Sequence, residues 1–192
     1  MNQEQLVQHL TPPQGVEMPP YPAERDRVYR WALVAAAAGL AGFGVGLGLG
    51  VPAVAWVSLG WLLAATLTAS YVFLVWIAQW RTGVLGLSVA AVAACGWMPG
   101  VAVGLTLAAL SIMAAKEAHC FHYPTGRYLP WASLVTAIVT LLAGGVLGLR
   151  VPALTVPAGL LFLLLAGLWV PLLRGRFKLP LFAVGTPAEP TR

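Results

Sequence analysis

The chain has 192 residues, 59% of them hydrophobic and 9% charged, with a formal net charge of +5. A soluble domain carries about 25% charged residues, and a water-soluble chain this apolar would expose large adhesive patches. The composition therefore places most of the protein in lipid, and nucleic acid is excluded as a partner because no basic stripe alternates with aromatics along any segment.

Residues 1–30 are polar and rich in proline (Pro12, Pro13, Pro19, Pro20 and Pro22), which predicts an extended tail. The tail is long for the n-region of a signal peptide, and the apolar run after it exceeds the usual core of about 7–15 residues. From Trp31 onward, apolar runs are cut by short turn signals. A spanning helix needs about 20 apolar residues. Six spans are predicted, at about 31–49, 53–80, 84–98, 101–121, 130–149 and 154–173, followed by a basic tail over 174–192. The breaks are Gly50-Val51-Pro52, Arg81-Thr82-Gly83, Pro99-Gly100, Pro124-Thr125-Gly126 and Arg150-Val151-Pro152. The third span is the shortest. Helices are the expected spanning form, since lipid offers no partner to an unpaired backbone group. A β-barrel would need alternating segments of about ten residues, and these runs are apolar on every side. The expected fold is an all-α membrane protein, a six-transmembrane-helix bundle.

Charge orients it. With six spans, one side holds Arg25, Arg27, Arg30, Arg81, Lys116, Arg127, Arg174, Arg176, Lys178 and Arg192, and the other holds only Arg150. Positive charge stays in the cytoplasm, so both termini are expected inside. Without the third span the asymmetry disappears. Tyr29, Trp31, Trp80, Tyr128 and Trp131 fall near the inner interface, and Trp56 and Trp97 near the outer one.

Gly42, Gly46 and Gly50 recur every fourth residue down the first span, a spacing that lets a neighbouring helix approach closely. GLGVPA at 48–53 is echoed by GLRVPA at 148–153, both at outer turns. Cys95 and Cys120 make no CxxC pair or disulfide framework. They are expected at opposite surfaces, about 25–30 Å apart.

Residues 112–127, IMAAKEAHCFHYPTGR, concentrate polar chemistry at the inner end of the fourth span. As a plain helix end, the stretch would let Lys116 snorkel to the headgroups and leave Glu117, His119 and His122 in water or among lipid headgroups. A metal site would use His119, Cys120, His122 and Glu117, but Cys120 points about 100° away from the face of the histidines. A reactive thiol would rest on Lys116 one turn below Cys120. An ion pair that holds the bundle together is the favoured reading: Glu117 is expected not to face its neighbour Lys116, leaving Arg127, Arg81 or the Arg25–Arg30 cluster, Arg30 included, as partners.

KEAHCF at 116–121 resembles the KEAxCF motif of an uncharacterised family of small bacterial integral membrane proteins, a domain of unknown function. The entry Arg25-Asp26-Arg27-Val28-Tyr29-Arg30 and the basic segment LLRGRFK at 172–178 extend the likeness over residues 25 to about 180. The motif carries over to Lys116, Glu117, Ala118, Cys120 and Phe121 and departs at His119. The resemblance implies a multi-pass protein of a bacterial cytoplasmic membrane, photosynthetic membranes included, and implies no activity.

No ionisable residue lies in the middle of a span, where proton pumps and voltage sensors need one. No carboxylate pair, Ser/His/Asp set or phosphate-binding loop points to catalysis, and no facing histidines point to haem. The expected protein is not an enzyme and carries no cofactor. It is read as an accessory or assembly component of a membrane complex, with Arg174, Arg176 and Lys178 on anionic lipid headgroups. The alternative is a small transporter or channel for a neutral or apolar solute, lined by Thr66, Thr68, Ser70, Thr106, Ser111, Thr136 and Thr140.

Overall fold

The computed structural model describes residues 23–73, 78–121, 127–140 and 155–178. Six helices follow one another: α1 (Ala23–Gly48), α2 (Pro52–Tyr71), α3 (Ala78–Ala94), α4 (Pro99–Phe121), α5 (Leu129–Thr140) and α6 (Thr155–Lys178). No strand occurs among the described residues. α1, α2, α4 and α6 are long and apolar enough to cross a membrane. Their outward faces carry Trp31, Trp56, Val57, Trp61 and Leu164, each more than half exposed. Such a surface suits lipid and would aggregate in water.

α1 begins two turns earlier than its apolar run. The first turns belong to the helix because Asp26, Tyr29, Arg30, Leu33, Ala36, Ala37 and Leu40 repeat at helical spacing and are all buried. The other end of α1 closes as a Schellman motif. The Val51 N–H donates to the Gly46 carbonyl and the Gly50 N–H to the Leu47 carbonyl, with Gly50 at φ 65°. Pro52 then opens α2, where its missing N–H costs nothing.

α1 packs on α2 on one side and α6 on the other. Gly39, Gly42 and Gly46 face α2, meeting Leu62, Ser58 and the Ala55 backbone where a Cβ would collide. Gly44 faces α6, where a Cβ would lie 2.7 Å from the Gly159 carbonyl oxygen. The small-residue seam therefore has two sides. Gly50 is not on it: a Cβ there would meet nothing within 4 Å, and its glycine serves the turn.

The second helix is shorter than its apolar run. α2 stops at Tyr71, and Arg81-Thr82-Gly83 lies within the first turns of α3 instead of forming a turn. Just before the stop, Thr68 and Ser70 donate to the carbonyls of Ala64 and Thr66, a back-bonding that weakens a helix. α3 is held to α2 by a 2.6 Å hydrogen bond between Ser70 and Ser88. The Ser111 hydroxyl likewise donates to the Pro130 carbonyl, joining α4 to α5 at 2.8 Å. The last helix is longer than its apolar run. α6 continues to Lys178 past Pro171, so the basic residues placed in a tail are helical. The far half of the fifth span and the second GLRVPA turn lie outside the described residues.

Candidate functional site: a buried ion network

The start of α1 meets the ends of α4 and α6, and five charged side chains come together there. Helical spacing aims them inward. Asp26 and Arg30 are one turn apart on the buried face of α1. On α4, Glu117 follows Leu110, Met113 and Ala114 on the core side. On α6, Arg176 follows Trp169, Leu172 and Leu173, all buried. Asp26 and Glu117 are fully buried, and Arg30 and Arg176 nearly so.

Asp26 is held on both oxygens. Arg176 Nη2 donates to Oδ1 at 2.5 Å, and Arg30 Nε donates to Oδ2 at 2.7 Å. Glu117 is held similarly, with Lys116 Nζ donating to Oε1 at 2.7 Å. Arg176 Nε lies 3.0 Å from Glu117 Oε2, as an ion pair whose angles fall short of a hydrogen bond. Arg176 thus bridges a carboxylate on α1 to one on α4. Lys116 Nζ also stands 5.2 Å from the centre of the Tyr29 ring, a cation–π distance. The network lies about one turn inside the bundle end, since Asp26, Glu117 and Arg176 are three, four and two residues from the ends of their helices. Burying an ion costs several kcal/mol unless partners surround it. Here three cations surround two carboxylates.

This geometry redraws the opposite charges around Glu117. Its partners are Arg176 and Lys116. Arg127 and Arg81 are exposed, and Arg30 pairs with Asp26. Lys116 reaches Glu117 despite adjacent positions because its long flexible stem curls back along the helix. Lys116 is half-buried and does not snorkel freely, and Glu117 does not meet water. Arg176 is buried in the core end, whereas Arg174 and Lys178 are exposed. Cys120 is half-buried and unpaired, His119 is exposed, and Phe121 closes α4. His122 and the Pro124-Thr125-Gly126 turn lie outside the described residues. Among the described residues no three potential metal ligands cluster.

The hydroxyls attend mainly to backbone. Thr68, Ser70, Thr106, Thr136 and Thr140 each donate to the carbonyl four residues earlier. The buried Thr66 and Ser133 hydroxyls and the Trp169 indole N–H have no partner among the described residues.

Asp26 and Arg176 are the network residues that local sequence reading passes over. They lie 150 positions apart. The available signal was an acid four residues before Arg30, and an arginine at heptad distance from Trp169. No protein-family model, curated protein or solved structure matches the chain.

Proposed function

We propose that the protein is a six-span component of a bacterial cytoplasmic membrane, both termini inside, that serves without catalysis as an accessory or assembly element of a larger membrane complex. The observation that carries this reading is the ion network. It spends both buried carboxylates on locking α1, α4 and α6 together. A site for proton transfer or ion coupling would need a carboxylate open to a path. The KEAxCF likeness to small bacterial membrane proteins supports the same reading, since its Lys116 and Glu117 belong to the lock. Outside the lock, Arg174 and Lys178 are suited to anionic headgroups. The test is purification of tagged protein from its native membrane in mild detergent, wild type against Glu117→Gln. A stoichiometric partner, lost or weakened in Glu117→Gln, is expected. A partner-free protein that is equally stable with either residue overturns the reading.

A second reading, passage of a small neutral solute, is favoured by one observation. The buried Thr66 and Ser133 hydroxyls and the Trp169 indole have no partner among the described residues, and such atoms hold water or a polar solute. Proteoliposomes would then shrink and re-swell faster in small neutral osmolytes than empty vesicles. Equal rates dispose of it.

A further inference from the structure

On the lipid side of the α1–α2 pair lies an open groove of about 450 Å³. Its floor is Ala32, Ala35, Ala64 and Ala65, and its walls are Trp31 and Trp61. Alanines keep it deep, because any larger side chain at these positions would fill it. The inner limit is built: the Trp61 indole N–H donates to the Ala35 carbonyl at 3.0 Å, laying the ring across both helices. Arg27 stands at the other limit, two helical turns from Ala35 and at the end of the bundle that carries the ion network. The groove is therefore apolar and closed at depth, and cationic at its mouth.

The mouth has more positive charge than Arg27 alone. Trp31 meets Phe177 edge-on, with centroids 5.3 Å apart, which brings the end of α6 to the same wall. Arg174 is exposed there and shares the helix face of Phe177, three residues on, and the exposed Lys178 lies one turn beyond Arg174. The carboxylate beside Arg27 is Glu24, in an exposed pair at 3.1 Å. Such pairs contribute little, and a phosphate displaces one easily.

We propose that this groove is a binding site for one anionic phospholipid, with an acyl chain along the alanine floor and the phosphodiester against Arg27, Arg174 and Lys178. Charge complementarity at the mouth and the apolar, indole-stopped channel behind it select a lipid over a soluble anion. The site stands apart from the accessory role and survives if that role fails.

The test is native mass spectrometry of the full chain in mild detergent with equimolar dioleoylphosphatidylglycerol and dioleoylphosphatidylcholine. Wild type is expected to retain one phosphatidylglycerol in preference to phosphatidylcholine. Arg27→Gln should cut that preference about fivefold, the contribution of one basic residue at a membrane surface. Ala64→Phe, at an exposed position that spares the core, should abolish retention of either lipid. Equal retention of the two lipids by wild type overturns the proposal, as does unchanged retention in Ala64→Phe. A two-chain mass that Ala64→Phe reduces to one assigns the groove to a second copy and also overturns it.

Discussion

Arg176 is the side chain on which the ion network turns, because it touches both carboxylates. Replacing it with methionine roughly keeps volume and removes the charge that pairs with carboxylates on both α1 and α4. Breaking a buried pair in this way costs about 3–5 kcal/mol, since the partner's charge stays buried. Arg176→Met should therefore lower the thermal unfolding midpoint in detergent more than Lys116→Met, whose ammonium is partly accessible. Adding Asp26→Asn and Glu117→Gln to Arg176→Met should deepen the loss, because Arg30 and Lys116 then lose the carboxylates that hold them, but by less than the sum of the single losses, because the contacts to Arg176 are already gone. Strictly additive losses would mean that the groups do not act as one unit. Residue-level reading found half of this. Lys116 and Glu117 were conspicuous against an apolar background. Asp26 was not, because it stands among Arg25, Arg27 and Arg30, and nothing local says which of the four charges turns inward. That choice belongs to the helix, once its first turn is known to start at Ala23.

At the scale of elements, the glycines of α1 make opposite predictions from similar surroundings. Gly46 faces the Ala55 backbone at a distance no Cβ tolerates, so Gly46→Ala must push α2 outward. Gly48, two residues on, has open space, so Gly48→Ala should be neutral or stabilise by up to about 1 kcal/mol through helix propensity. Gly50→Ala finds room as well but puts a Cβ on a residue at φ 65°, costing about 1 kcal/mol. Ranking the three by unfolding midpoint in detergent gives Gly48→Ala highest and Gly46→Ala lowest. A Gly46→Ala protein as stable as wild type would remove the close α1–α2 contact. Element boundaries were legible where backbone chemistry marks them. Gly50-Val51-Pro52 supplies both a left-handed cap and a helix-starting proline, and Pro99 opens α4 in the same way. They were hidden where only side chains decide. The stop of α2 at Tyr71 has no glycine or proline, and the apolar run continues through it. The start of α1 and the end of α6 were hidden for the converse reason: hydropathy reads Asp26, Arg30 and Arg176 as outside the lipid, while pairing lets the helices carry them inward.

For the whole molecule, topology turns on the short helices. α3 has 17 residues and α5 has 12 described ones, each below the length of an ordinary span. With both termini inside and α4 crossing, a crossing α3 puts the α3–α4 connection outside and the end of α4 inside, and the two cysteines report it directly. Cys95 is at the α3–α4 connection and Cys120 at the last turn of α4; both are free and half-buried. Single-cysteine proteins, made with Cys95→Ala or Cys120→Ala, would be labelled in intact cells with a membrane-impermeant maleimide. Cys95 is expected to label from outside. Cys120 should label only after permeabilisation, because it neighbours the ion network at the end where Arg25, Arg27 and Arg174 are exposed. By the positive-inside rule, that end is expected in the cytoplasm. Outside labelling of Cys120 would invert the orientation and set the exposed cations against the positive-inside rule. Protection of Cys95 until permeabilisation, with Cys120 also protected, would mean that neither α3 nor α4 crosses and would reduce the spans by two. In that case the Ser70–Ser88 hydrogen bond would fasten α3 to the inner end of α2 as an interfacial helix, and the lock of Asp26, Glu117 and Arg176 would lie beneath it.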